Sequence, residues 1–290
     1  MNPGFKYDKN ILFVIVCYKE KYWETETFTN LHRSYEAAED TDSLSVFIVD
    51  NTDLIDWNIS NKPATPKNVT VDYINLKNPG ISVAYNRAYE YASEKSFQWI
   101  VFLDQDTTLP LETFGIYKSA ALLNNVNFPL KAPLIYYSEN GLLSPSTYKN
   151  YRYGALSIHK NIEKIQFKDV SCINTGLMIL TAFFLQNNKY DETLRLDFCD
   201  HDFIERSKQY LTEIEILPLE LHQNFSTHTN NKADALKRYE FYSRDMMAFA
   251  KNRNKLLIFF LVDIPRLIKL TLKYKSMDFL KIRIKNNKSF

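Results

Sequence analysis

The stretch Trp99-Ile-Val-Phe-Leu-Asp-Gln-Asp-Thr-Thr-Leu-Pro110 decides how the chain is read. Trp99 to Leu103 is a continuous apolar run of strand length, as expected for a strand buried on both faces. Asp104 and Asp106 follow at once. In an extended chain, residues two apart point the same way, so two carboxylates converge at the end of a buried strand. An unpaired buried carboxylate is costly. A hard divalent cation, which prefers oxygen ligands, removes that cost. The expected occupant is a metal that in turn holds a phosphate. The alternative is a strand end whose acids are solvated in a turn.

Outward from this strand the same pattern recurs. Ile11 to Cys17 is an apolar strand followed by a polar, helix-like segment to about Asp40. Leu44 to Val49 reads as a second strand ending at Asp50-Asn51, and Val69 to Leu76 as a third. Asn78-Pro79-Gly80 predicts a turn, and from Ile81 to Lys95 the residues Val83, Ala84, Ala88, Tyr91 and Ala92 fall on one helical face. Strand and helix in alternation predict a mostly parallel sheet, whose ligands sit beyond the carboxyl ends of its strands. Cys17-Tyr18, Asp50 and Asp104 each fall at such an end. Further on, Pro129 to Gly154 holds three prolines and reads as a long loop or an antiparallel flap. Ile173 to Leu180 is an apolar segment containing Asn174-Thr175-Gly176. Leu196 to Phe203 leads into a helix-like run to Tyr210, and Glu213 to Leu217 is a short strand halted by Pro218. Helices are expected from about Asn230.

The chain has 290 residues, 45% of them apolar and 24% charged, enough for one large α/β domain plus an appendage. The expected boundary separates residues 1–228 from a basic helical extension, 229–290. The N-terminus is polar through Asn10, and the apolar run after it is too short for a secretory signal. The apolar stretches Ile11 to Tyr18 and Leu256 to Val262 are eight and seven residues, against about 20 for a membrane span. Cys17, Cys172 and Cys199 are odd in number and lack metal or redox spacing. Reduced thiols in a cytoplasm are expected.

Taken together, Phe13-Val-Ile-Val-Cys-Tyr18, Phe47-Ile-Val-Asp-Asn51, Asn78-Pro-Gly-Ile-Ser-Val-Ala-Tyr-Asn86, Phe102-Leu-Asp-Gln-Asp-Thr107, Asn174-Thr-Gly176 and Asp197-Phe-Cys-Asp-His-Asp202 form an ordered set. Over roughly residues 10–225 it resembles the family 2 glycosyltransferases of the GT-A fold, most closely the bacterial rhamnosyltransferase-like branch. The resemblance implies an inverting transfer of a sugar, L-rhamnose from dTDP-rhamnose foremost, from a nucleoside diphosphate donor to a glycan or a polyprenyl-diphosphate-linked acceptor of a surface polysaccharide. UDP-galactofuranose, UDP-galactose and UDP-glucose remain alternative donors. It implies that Asp50 holds the nucleobase or ribose, and that Asn78 to Asn86 wraps the nucleotide, with Gly80 giving close approach or a positive φ. Arg87 is then a phosphate contact or a solvated helix arginine. By the same resemblance, Asp104 and Asp106 are the D-x-D pair that binds Mg²⁺ or Mn²⁺, completed by His222 or by its competitor His228. Asn174-Thr175-Gly176 lies under the sugar, and Asp200 is the base that takes the acceptor proton. Asp202 caps the next helix or orients the acceptor. The usual acid beside the base is replaced here by Cys199. Tyr18 and Trp23 stack on the base, line the acceptor groove or simply fill the core.

Two other classes are weighed. Nucleotidyl transfer to a sugar phosphate calls for a glycine-rich loop after the first strand, where this chain reads Cys-Tyr-Lys-Glu-Lys. A catalytically inactive nucleotide- or membrane-binding scaffold has no need of all three acid sites.

The tail from Lys251 onward carries eleven Lys/Arg and two Asp/Glu, an excess of nine positive charges, while the remainder of the chain carries a net −7. Such asymmetry suits an anionic surface. Phe259, Leu267, Ile268 and Leu272 are expected on one helical face, with Pro265 at a kink or start, as in a helix lying in a membrane interface at the inner face of the cell membrane. The alternative is a helix packed on the catalytic domain or on a second subunit of a homodimer. Nucleic acid is not an expected partner, because no aromatic-basic RNA module is present.

Overall fold

The computed structural model describes residues 9–39, 42–55, 57–59, 62–64, 66, 68–122, 128–137, 141–158, 162–187, 189–223 and 231–287. The fold follows from where continuous apolar runs can be buried. β1 (Lys9–Cys17), β2 (Leu44–Asp50) and β3 (Val69–Asn75) form the parallel half of a sheet with β4 (Phe97–Asp104). α1 (Glu26–Ala37) and α2 (Ile81–Glu94) are the crossovers. Register places the rim: Cys17 lies opposite Asp50 and Val16 opposite Asp104. The carboxyl ends of three neighbouring strands are thus level.

After β4 come a two-residue strand, β5 (Thr107–Thr108), and α3 (Thr113–Leu122). The proline-bearing segment, expected to be a loop or flap, divides. Its first part is β6 (Leu130–Tyr137), a buried strand of the main sheet, followed by β7 (Gly141–Ser144) on its edge. Its second part is a flap, β8 (Ser146–Lys149) and β9 (Arg152–Gly154), which later receives β11 (Val170–Ser171) to make a separate three-stranded antiparallel sheet. β10 (Lys164–Gln166) ends the main sheet. β12 (Met178–Leu180) enters antiparallel between β4 and β6 and leads into α4 (Thr181–Gln186). After α5 (Cys199–Ser207) comes β13 (Glu213–Gln223). It does not stop at Pro218 as expected: the ladder to β6 shifts register between Ile216 and Glu220, and the bulge absorbs the proline.

Both faces of the sheet are covered, which is why its strands read as unbroken apolar runs. One face packs on α1 and α3 through Leu31, Tyr35, Phe114 and Tyr117. The other packs on α2, α4 and α5, and on the C-terminal helices through Tyr239, Met246, Phe249, Leu267 and Phe279. Those helices are α6 (Lys232–Ala250), α7 (Lys255–Ile258), α8 (Ile264–Tyr274) and α9 (Asp278–Asn287), with a π-helical turn at Phe259–Asp263 joining α7 to α8. The basic tail is therefore built onto the same core. No helix among the described residues is long and apolar enough to cross a membrane.

Candidate active site

The turn after β4 is fastened from three directions. The Thr27 hydroxyl, buried in the first turn of α1, lies 2.5 Å from the Asp104 carbonyl and accepts the Thr107 N–H at 2.9 Å. The Thr175 hydroxyl accepts the Asp104 N–H at 2.9 Å and meets the Thr107 hydroxyl at 2.9 Å. Gln105 accepts the Tyr18 N–H at 2.5 Å and donates to Glu20 at 2.7 Å. The two carboxylates thus project from a turn with little freedom. Asp106 accepts a 2.6 Å hydrogen bond from Gln223 of β13.

Charge is concentrated here. Burial, then the nearby Asp106 and Asp200 carboxylates, push the Asp104 carboxyl up to about 7. Loss of water raises Asp106 as well, partly offset by its hydrogen bonds from its own backbone and from Gln223. Glu20 is raised by burial and by Asp106. Such a site favours a counter-cation. Among the described residues no three His, Cys, Asp or Glu side chains converge as a ready cation cage. Two carboxylates with the remaining positions open fit a cation that takes its other ligands from a phosphate and water, the usual habit of Mg²⁺.

Asp50, 1% exposed, accepts the Thr52 N–H at 2.9 Å and the Tyr73 hydroxyl at 2.7 Å. Tyr18 follows the end of β1, next to Cys17 that pairs with Asp50, and is 42% exposed. Trp23 packs edge-on against buried Tyr22, with ring centroids 5.0 Å apart.

Across the rim, Asp200 lies in the first turn of α5. It accepts hydrogen bonds from the Asn174 amide at 2.7 Å and the Cys199 thiol at 3.1 Å. Asn174 in turn accepts the hydroxyl of buried Tyr190 at 2.6 Å. Burial raises the Asp200 carboxyl, and the bonds from Cys199 and Asn174 pull it back. Phe198, just before α5, has φ +65°, a conformation that costs a bulky residue energy. Its ring is fixed against Phe249 and Tyr242 of α6, at 4.9 and 5.4 Å.

Other expected site residues make contacts within the protein. Asn86 spends its amide on the Tyr190 carbonyl and Glu192 and accepts the Tyr190 N–H, tying α2 to the 190–192 segment. Arg87 pairs with Glu90 on the same helix at 3.0 Å. Asn78 bonds Asp53, and its carbonyl, with that of Pro79, is taken by Arg195. Gly80 has the expected positive φ, but its close approach is to Arg195: an added Cβ would lie 3.0 Å from the Arg195 Cα and carbonyl oxygen. Gly176, at φ +75°, is forced by packing, since a Cβ would fall 2.5 Å from Pro133 and 2.8 Å from Leu221. Asp202, 4% exposed, is held by Arg206 and Arg253.

His222 is exposed and its ring faces Tyr136, with centroids 5.8 Å apart. Gln223, the next residue, is the one that reaches Asp106, because neighbours on a strand point to opposite sides. Among the described residues His222 does not join the carboxylate pair in a three-ligand cluster. His228 lies outside the described residues.

The sequence reading missed Glu20, Gln105 and Gln223, and a second group on α6 that holds the segment before Asp200. Asp245 accepts the N–H groups of Leu196 and Asp197, each at 2.8 Å. Arg238 grips Asp197 with two nitrogens. Only Gln105 carried a local signal, its place inside Asp-Gln-Asp.

No family model matches the chain. Over 144 residues it is 27% identical to the dTDP-rhamnosyl transferase RfbF of Shigella flexneri, an alignment covering 49% of this chain and 47% of that protein. The chain thus matches about half the length of this curated relative. GalNAc-T7, solved with UDP, GalNAc and Mn²⁺, superposes with a TM-score of 0.55 at 14% identity, over 94% of this chain and 56% of that one. S. aureus TarS superposes with a TM-score of 0.51 at 14% identity, over 89% of this chain and 46% of that one. The fold is that of the GT-A glycosyltransferases. In sequence the chain is similar to RfbF over about half its length, and in architecture it is similar to GalNAc-T7 and TarS.

Proposed function

We propose that the chain is an inverting glycosyltransferase that moves a sugar from a nucleoside diphosphate donor to a hydroxyl of a glycan or lipid-linked acceptor. One observation carries the reading: the rim formed by Cys17, Asp50 and Asp104 in register, with Asp200 close enough to raise the Asp104 carboxyl. Asp50 and the end of β1 receive the nucleoside, and Asp104 and Asp106 face its diphosphate. The residues that would hold Mg²⁺ or Mn²⁺ are Asp104 and Asp106, and the bound ion would neutralise charge on the leaving diphosphate.

Asp200 takes the proton of the attacking hydroxyl. Its partners fix its orientation, and the upward push of burial brings its basicity closer to neutral pH, where a general base works best. The similarity to RfbF supports dTDP-rhamnose as donor. UDP sugars are the second reading, favoured by UDP in GalNAc-T7, which shares the fold.

Contact with a membrane surface belongs to the same proposal. Leu256, Phe260, Ile268 and Leu272 are 71%, 62%, 52% and 70% exposed, among Lys255, Lys269 and Lys273. The row differs from the expected face, since Leu267 turns into the core. The test of the transfer reading is a mass-spectrometric product assay on the purified chain with dTDP-rhamnose, UDP-galactose and UDP-glucose, Mn²⁺ and lipid-linked acceptors. Transfer by the parent, and at least about a hundredfold less by Asp200→Asn, is expected. Equal product from both would overturn the base assignment.

A further inference from the structure

A second cavity, of about 490 Å³, opens between the three-stranded flap and the C-terminal helices. Its size is within the range of small-molecule sites. One wall is the stretch Asp197, Phe198 and His201, which brackets Asp200. Tyr153 of β9, 71% exposed, stands at the flap side with its ring stacked on His201 at 6.2 Å. Flat aromatic faces of this kind suit the apolar faces of sugar rings.

The opposite side is cationic. Arg152 of β9 and Arg266 and Lys269 of α8 line the cavity. None of the three has an ion-pair partner among the described residues, and the buried Nε of Arg266 has no hydrogen-bond partner. The Arg266 guanidinium lies over the Tyr242 ring, its Cζ 4.0 Å from the centroid, which holds it at the cavity wall. Of the acids nearby, Asp197 is engaged by Arg238, and Asp263 by Arg283 at 2.6 Å through one oxygen, while its buried Oδ1 has no hydrogen-bond partner. Arginine and lysine side chains without ion-pair partners, side by side on one wall, suit a phosphate group.

We propose that this cleft binds the acceptor, and that the acceptor is a saccharide carrying a phosphate or diphosphate, its sugar on the aromatic side and its phosphate on Arg152, Arg266 and Lys269. The proposal rests on the transfer reading for the word acceptor, but its binding site stands apart from the donor rim. A phosphate on a lipid-linked sugar and a phosphate on a free sugar share this chemistry.

The probes are glucose 1-phosphate and glucose, titrated calorimetrically into the full chain in the presence of EDTA. A separate titration uses UDP with Mn²⁺. The parent is expected to bind glucose 1-phosphate at least about tenfold more tightly than glucose, the scale of one hydrogen bond to a charged group. Arg266→Gln/Lys269→Gln is expected to lose that preference and to bind UDP unchanged. If that variant fails to fold, Arg152→Gln, on the exposed flap, is expected to weaken the preference alone. Equal affinity for the two probes, or a preference kept by the folded variants, would overturn the cleft assignment while leaving the donor reading intact. Loss of UDP binding with the phosphate preference retained would sink the donor reading instead. Phosphatidylcholine vesicles with and without a polyprenyl phosphate separate the sources. Retention only on the phosphate-bearing vesicles, released by glucose 1-phosphate, assigns the lipid-linked acceptor. Glucose 1-phosphate binding without such retention assigns the free one.

Discussion

Three carboxylates at the rim have different neighbours, and these should separate in experiment. Asp200→Asn keeps the hydrogen bond from Asn174 within reach but removes the basic lone pair. It should lower turnover by roughly 10²–10⁴ while leaving UDP affinity nearly unchanged, as read by steady-state kinetics beside calorimetry. Asp106→Ala should instead weaken UDP binding only when Mn²⁺ is present. For Asp104 the sign follows from burial. Its carboxyl, raised from 3.8 to about 7, binds a proton more tightly folded than unfolded. Its contribution to stability is therefore complete below pH about 3.8 and is lost as pH rises through about 7. Above that pH a cation replaces the proton, so the rise in melting temperature with Mn²⁺ should be larger at pH 8 than at pH 6. Asp104→Asn should abolish the difference.

At the scale of elements, the parallel strands could be read directly, because burial on both faces writes an unbroken apolar run. β6 could not. Lys131 and Pro133 interrupt its pattern, and buried Lys131 is satisfied by Glu215 of β13 at 3.0 Å, the Ala120 carbonyl at 3.2 Å and the Trp99 face 5.3 Å away. The acids of the rim stood out as short motifs. The groups that hold them did not, since Gln223 reaches Asp106 across 117 residues and Asp245 reaches Leu196 across 49. No local pattern encodes such pairs. The second of these yields a prediction. Asp245→Ala leaves two backbone N–H groups without their acceptor and should cost about 2–4 kcal/mol in denaturant unfolding. It should also lower kcat with little change in donor KM, because it loosens the loop of the base and leaves the nucleoside side untouched.

For the whole molecule, the sheet and its two covered faces put the rim, the flap and the basic helices on one assembly. The exposed apolar row running from α7 through the π-helical turn to α8 should carry the chain onto anionic vesicles. Phe260→Glu/Leu272→Glu is expected to abolish co-sedimentation with phosphatidylglycerol vesicles without altering UDP binding or the melting temperature. If the row is covered by another copy of the chain instead, the same pair of changes will halve the mass seen by light scattering and leave vesicle binding as it was.

The grip of Asp245 and Arg238 on residues 196–197 also bears on how hybrid enzymes can be made. A splice placed between β13 and α6 would pair one parent's catalytic loop with the other parent's clamp. An exchange of tails intended to redirect docking would then disturb reactivity as well. Chimeras should move the loop and α6 as one cassette, or neither.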